Sequence, residues 1–236
     1  MKKIKPFKFK QFQIFQDKTA MKVGTDGVLL GAWSQLYNGE NILDIGTGTG
    51  LISLMLAQRF NNSNIDAIEL DQDAFLQATE NILDSDFKDN IQVQKTSLQD
   101  FKSIKKYDLI VSNPPFFIEN ERTDFDARKQ ARQQSTLTFE ELLFHSKSLL
   151  NVNGVASFII PYDQEEDFIN IGRELKLFPK RILRVKGNQN APIKRSLLEF
   201  CNTECETVFS DLIIEVERHM YTDDYTNLTR EFYLKM

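Results

Sequence analysis

Asn41-Ile42-Leu43-Asp44-Ile45-Gly46-Thr47-Gly48-Thr49-Gly50 is the stretch whose reading decides the fold. A short apolar run is followed by three glycines at alternate positions, and Leu51–Arg59 then takes a helical pattern. Strand, glycine turn and helix in that order mark the point of an open α/β sheet where backbone N–H groups approach a nucleotide-type ligand. Glycine is needed there because a Cβ would block the approach. Leu51 stands where a dinucleotide fingerprint would want its own glycine or alanine, and Asp44 is a poor neighbour for a pyrophosphate. Both features disfavour a nicotinamide oxidoreductase, and Asp44 favours a cationic ligand.

Outward from this stretch the chain alternates short β-like runs with longer helical patterns, which predicts a parallel sheet covered by helices. Strands are expected at Asn41–Ile45, Asn64–Glu69, Ile91–Thr96, Tyr107–Ser112, Val155–Ile160 and Arg181–Val185. Helices are expected at Thr25–Gln35, Leu51–Arg59, Gln72–Leu83, Thr138–Leu150 and Gln164–Leu175. Arg195–Cys201 and Val208–Val216 have no room between them for a crossover helix, so they read as an antiparallel hairpin closing the sheet edge. The expected architecture is one α/β domain over residues 1–236, with residues 1–24 as a basic, phenylalanine-rich arm.

Glu69 ends the second strand, where a carboxylate can accept both ribose hydroxyls of a nucleoside, while Asp71 is the more natural N-cap for the helix beginning at Gln72. Tyr107–Ser112 runs as a buried strand into Asn113-Pro114-Pro115-Phe116, so this loop lies beside the glycine loop at the carboxyl edge. The prolines hold Asn113 and the Pro114 carbonyl stiffly. Those two oxygens can accept both hydrogens of a planar amino group, turning its lone pair toward an electrophile, and Phe116 offers a face on which a base can stack.

These features together resemble the Rossmann-like methyltransferases that use S-adenosylmethionine, whose sulfonium and amino group suit Asp44 better than NAD would. The resemblance implies a doubly wound seven-stranded sheet with an antiparallel C-terminal hairpin, and cofactor contacts from Asp44, Gly46, Gly48, Gly50, Glu69 and Asn113. In that family the turn after the third strand supplies an acid to the adenine amine. Here it reads Thr96-Ser97-Leu98-Gln99-Asp100, which leaves that contact open between Ser97 and Asp100, with Leu98 beside them. Asn113–Phe116 resembles the Asn-Pro-Pro-Tyr/Phe/Trp loop of enzymes methylating adenine N6, guanine N2 or protein glutamine, and implies catalytic roles for Asn113, Pro114 and Phe116.

The segment Ala20–Trp33, the arm before it, Arg128–Arg132 and the tail Tyr225–Leu234 resemble bacterial adenine-N6 methyltransferases acting 3′ of the anticodon in valine tRNA. That similarity implies tRNA as substrate and puts Thr25 and Asp26 near the methionine end of the cofactor, with Lys22 in the same segment. Thr25 and Asp26 also read as a helix N-cap pair, and Trp33 as core. Guanine-N2 methylation of ribosomal RNA and a non-catalytic cofactor-binding RNA chaperone are the alternatives.

With 236 residues, 41% hydrophobic and 27% charged, the chain has ordinary soluble composition and no apolar run near the roughly 20 residues that span a bilayer. A cytoplasmic monomer is expected. Cys201, Cys205, His145 and His219 cannot form a four-ligand metal site without carboxylates. The net charge is −5, yet residues 1–16 hold five lysines without an acid, and 180–195 hold Lys180, Arg181, Arg184, Lys186, Lys194 and Arg195 likewise. These are the expected RNA-facing patches.

Overall fold

A computed structural model describes residues 5–19, 22–114 and 137–236. Its centre is a sheet of nine strands among the described residues, with the order β11-β10-β8-β9-β7-β6-β3-β4-β5. The strands are β3 Asn41–Ile45, β4 Asn64–Glu69, β5 Ile91–Lys95, β6 Tyr107–Ser112, β7 Leu150–Pro161, β8 Phe178–Asn188, β9 Ile193–Cys201, β10 Val208–Glu217 and β11 Met220–Tyr221. In the arm, β1 Phe7–Lys8 and β2 Gln13–Ile14 pair antiparallel as a separate ribbon.

From β5 to β7 all neighbours are parallel, and β9 lies antiparallel between β7 and β8. The chain moves outward from β3 through β4 to β5, then returns to the other side of β3 for β6 and β7. The switch point therefore falls between β3 and β6, where an open α/β sheet holds its ligand.

Alternate strand residues face opposite sides. Ile42 packs on one face with Leu54 and Met55 of helix α2 (Leu51–Arg59), Leu29 and Leu30 of helix α1 (Thr25–Trp33), and Ile82 of helix α3 (Gln72–Leu83). Leu43 and Ile45 pack on the other face with Leu142 and Leu143 of the helix Phe139–Leu149 and Phe168 of the helix Glu165–Glu174. Thr138 and Glu141 form a reciprocal capping box on the first of these two helices.

The eight expected β runs are all present, as β3 to β10, with a reversed strand near the C-terminus, but the expected hairpin has different partners. Val208–Val216 does not pair with Arg195–Cys201. The hairpin joins β8 to β9, and β10 lies parallel to β8 on its far side, extended by β11. The cause is the turn after Asn188, where the Asn190 amide donates to Asn188 Oδ1 at 3.0 Å and the Ala191 amide donates to the Asn188 carbonyl at 3.1 Å. With the chain reversed at that point, the two long apolar strands become direct neighbours.

Candidate active site

The glycine loop is built by backbone bonds to the neighbouring strand. The Gly46 and Thr47 amides donate to the Ile68 carbonyl at 2.9 and 3.1 Å, and the Gly50 amide donates to the Thr47 carbonyl at 2.9 Å. Gly46 and Gly48 have φ of 71° and 60°, in the left-handed region that glycine alone adopts without cost. A Cβ on Gly46 would point into open space, and one on Gly48 would meet only the Gly46 carbonyl, at 4.0 Å. The side chains missing there leave a cradle that a ligand could enter.

Asp44 lies beneath the cradle with no exposed surface. Its Oδ2 accepts from the hydroxyls of Thr47 and Ser53, each at 2.6 Å, while its Oδ1 has no partner. Burial pushes its carboxyl up to about 6, against the two hydroxyl bonds and with the help of the Glu69 charge. An ionised, half-satisfied carboxylate at this depth calls for a cation or donor from the ligand side.

Glu69 reaches the loop directly. The Gly48 amide donates to its Oε2 at 2.9 Å and the Asp71 amide to its Oε1 at 2.9 Å. Asp71 is the N-cap of α3 as expected, accepting from the amides of Asp73 and Ala74, which leaves Glu69 out of the capping of that helix. Beyond β5, Ser97 Oγ donates to Asp100 Oδ2 at 2.8 Å and accepts from the Asp100 amide at 3.1 Å. The two candidates for the adenine contact thus form one unit, with Leu98 buried beside them. Leu70, half exposed immediately after Glu69, is an apolar surface at the same edge that sequence reasoning missed. Its signal was an apolar residue in the polar run Glu69–Asp73.

The second loop is locked to the first by a residue that no motif singles out. Ser112, the last residue of β6, donates from Oγ to the Ile45 carbonyl at 2.8 Å, just before Gly46. Asn113 follows, half-buried, and its Oδ1 is enclosed without a hydrogen-bond partner. Pro114 is buried. Pro115, Phe116, Arg128 and Arg132 lie outside the described residues, as do Lys2 and Lys3.

Thr25 and Asp26 open α1, but they are not an N-cap pair. The cap position is Gly24, without a side-chain capping bond, and Asp26 Oδ2 instead accepts from Arg195 Nε at 2.8 Å. The space beside Gly27 is filled by Leu51, the first residue of α2, which brings the start of α1 next to the glycine loop. Lys22 turns the other way, donating from Nζ to the carbonyls of Gln16 and Thr19.

Two further residues of α3 hold the loop and the arm. Asn81 donates from Nδ2 to the Thr49 carbonyl at 2.9 Å and to the Phe15 carbonyl at 2.8 Å, and accepts from the Phe15 amide at 2.9 Å. Gln77 accepts from the amides of Asp17 and Lys18 at 3.1 and 3.0 Å. Amides at 77 and 81, one helical turn apart on a buried face, were the legible signal.

The basic stretch 180–195 is largely spent inside the fold. Arg181 pairs with fully buried Glu199 through two bonds of 2.9 and 2.7 Å and lies 4.3 Å over the Trp33 ring. Arg184 pairs with Glu165 at 2.6 Å, and Arg195 with Asp26. Among the described residues Lys186 and Lys194 form no ion pair. The sequence could not reveal this, because each acid comes from a different element.

Residues 18–164 match the model of the methyltransferase small domain. The chain is 49% identical over 233 residues to the tRNA1(Val) (adenine(37)-N6)-methyltransferase of Flavobacterium psychrophilum, covering 98% of this chain and 100% of that one. It is 47% identical to the protein of that name from Parabacteroides distasonis, covering 98% of both. Among solved structures it resembles one described as a predicted O-methyltransferase from Agrobacterium tumefaciens, with a TM-score of 0.70, 16% identity, and 88% and 96% of the two chains covered. That last likeness concerns the fold.

Proposed function

The chain belongs to the methyltransferase small domain family and to its tRNA1(Val) (adenine(37)-N6)-methyltransferases, and from that premise we propose that it methylates N6 of the adenosine 3′ of the anticodon in a valine tRNA. The methyl donor is S-adenosylmethionine, and the whole chain 1–236 acts as one cytoplasmic, monomeric unit. Among the described residues no helix is long and apolar enough to cross a membrane.

The observation that carries the reading is the pair of orphaned buried oxygens, Asp44 Oδ1 and Asn113 Oδ1, on adjacent strand ends at the switch point. One wants a cation or donor and the other a neutral N–H, which are the complementary groups of a charged amino-acid moiety and an exocyclic amine. The donor set fits S-adenosylmethionine in other respects too. Glu69 takes the ribose hydroxyls, Leu70, Leu98 and the Ser97–Asp100 unit take the adenine, and Gly46 and Gly48 let the backbone come close, while Gly50, whose missing Cβ faces Ala78 and Ile82, lets α3 pack against the loop. Thr25 and Asp26 flank the methionine end, and Lys22 contributes by folding the arm.

When bound, S-adenosylmethionine supplies an electrophilic methyl group on sulfur. Asn113 Oδ1 and the Pro114 carbonyl accept the two hydrogens of the adenosine amine, which localises its lone pair for attack. Phe116 stacks on the base once it has left its own stack, a cost of a few kcal/mol that an anticodon-loop base partly avoids. The amine proton goes to water after transfer, so no general base is required.

Single-turnover transfer of labelled methyl to a valine tRNA anticodon stem-loop tests this. Asn113→Ala should slow transfer by roughly 100-fold or more, as for other lost hydrogen bonds to a developing charge, with cofactor affinity within about twofold. A rate within threefold of the parent would remove the loop from the chemistry.

A further inference from the structure

A second cavity lies on the same edge of the sheet and belongs to none of the groups assigned above, except that it borrows the first turn of α1. It encloses about 280 Å³ between α1 and the ends of β8, β9 and β10. Leu29, Val185 and Ile214 give it apolar walls, Lys194 and Arg195 give it cations, and Gly187 stands at its rim. The strand registers fix where it lies relative to Asn113. Ser112 is level with Phe158 of β7 and Leu198 of β9, and Arg195 lies opposite Pro161, three residues nearer the carboxyl edge. Standard strand geometry puts Arg195 roughly 10 Å beyond Ser112 along the strands and roughly 10 Å across two strand spacings. The two displacements combine to roughly 14 Å, which puts Arg195 on the same edge of the sheet as the Asn113 loop but beyond the target nucleotide itself.

We propose that this cavity holds a nucleotide flanking the target adenosine, with its phosphate on Lys194 and Arg195 and its base against Leu29, Val185 and Ile214. The inference rests on the proposed RNA methylation and deepens it. A single-stranded nucleotide asks for an apolar face and a fixed cation, and the cavity offers both. Arg195 is held rigidly, its Nε donating to Asp26 at 2.8 Å and its Nη1 to the Lys194 carbonyl at 3.0 Å, so little side-chain freedom remains to be lost when a phosphate docks. Lys194 is exposed and has no ion pair among the described residues, which leaves its charge available. The volume lies just below the roughly 300–1,000 Å³ typical of ligand pockets and suits one nucleotide unit. Of the other cations of 180–195, Arg181 and Arg184 are bound to Glu199 and Glu165 and Lys180 lies over the Tyr37 ring, so Lys194 and Arg195, with Lys186 two residues after Arg184 on the neighbouring strand, carry the charge at this edge.

A cycle crossing protein and RNA substitutions tests the contact. Anticodon stem-loops carry a single neutral methylphosphonate on either side of the target adenosine, and each is titrated against the parent protein and Lys194→Glu. One methylphosphonate should weaken binding to the parent roughly ten- to a hundredfold, the range for a lost charge-assisted hydrogen bond, and have no further effect on Lys194→Glu. Gly187→Leu, where a Cβ meets nothing within 4 Å, should fill the cavity and raise KM for RNA about tenfold with cofactor affinity unchanged. Multiplicative effects of methylphosphonate and Lys194→Glu at both positions overturn the subsite. If the parent protein methylates no tRNA adenosine, the proposed function falls and takes the subsite with it. If it methylates normally while Gly187→Leu and Lys194→Glu bind RNA like the parent, only the subsite falls.

Discussion

Asp44 is held in its charged form against its own solvation, and that conflict has consequences on both sides of neutrality. Its carboxyl lies near 6, above the ordinary 3.8, because it is wholly buried. A raised carboxyl contributes stability below 3.8 and loses it as pH rises through about 6, so above 6 the folded ligand-free protein bears the full cost. A rise of that size corresponds to roughly 3 kcal/mol. Asp44→Asn should therefore raise the melting temperature of the ligand-free protein at pH 7.5 and change it much less at pH 4, while weakening cofactor binding. Thermal scans at both pH values check the sign, and equal shifts would show that the carboxylate is compensated in a way the geometry does not account for. For the parent protein, cofactor affinity should fall below pH 6 as Asp44 gains its proton. Glu69 behaves differently because two backbone amides already satisfy part of it. Glu69→Ala should cost cofactor affinity roughly 1.5–3 kcal/mol for each charge-assisted bond to ribose, measurable by calorimetry, and affinity within twofold of the parent would remove it from the site.

The β8–β9 hairpin shows where an element can be read from sequence and where it cannot. The strands β3, β4 and β6 matched their expected bounds because each is a short apolar run ended by glycine, acid or proline, signals local to the strand. The glycine loop, Asp44, Glu69 and the Asn113 loop were legible for the same reason. Pairing of the last strands was not, since it depends on the Asn188 turn and on which apolar faces meet, and neither is written in spacing alone. The ion pair Arg181–Glu199 was hidden likewise, and it now defines a property of this hairpin. Glu199 is fully buried and also accepts from the Tyr37 hydroxyl at 2.8 Å, which together with burial pushes that phenol up to about 12. Arg181→Ala would strand the carboxylate and should destabilise the protein by about 3–5 kcal/mol, whereas replacing both partners with apolar residues should cost much less. Denaturant unfolding of single and double variants distinguishes the two, and equal losses would mean that the cost lies in packing against Trp33.

At the scale of the whole molecule, the arm and the C-terminal tail meet and are wired to the glycine loop. The Lys10 amide donates to the Phe232 carbonyl at 2.8 Å, the rings of Phe9 and Tyr233 stack with centroids 5.7 Å apart, and Gln58 of α2 donates to the Glu231 carbonyl at 2.9 Å. From the arm the connection runs through Phe15 to Asn81, which also holds the Thr49 carbonyl inside the glycine loop. Deleting residues 1–10 would therefore remove Phe9 from the core along with the arm's lysines, so it cannot isolate an effect of charge on RNA. A cleaner perturbation is Phe232→Ala. That ring is almost fully buried, and its loss should cost about 3–5 kcal/mol, or roughly 6–20 °C of melting temperature for a domain of this size. If arm and tail are a mechanical support for the loop, amide exchange should accelerate in residues 7–18 and 46–50 well before β6 and β7, and cofactor affinity should drop although no ligand-facing atom has changed. Asn81→Ala should reproduce the loss of cofactor affinity with a smaller loss of stability, since it cuts the link to Thr49 while leaving the aromatic cluster in place. Uniform acceleration across the sheet, with loop and core exchanging together, would reduce the arm and tail to one more part of the core.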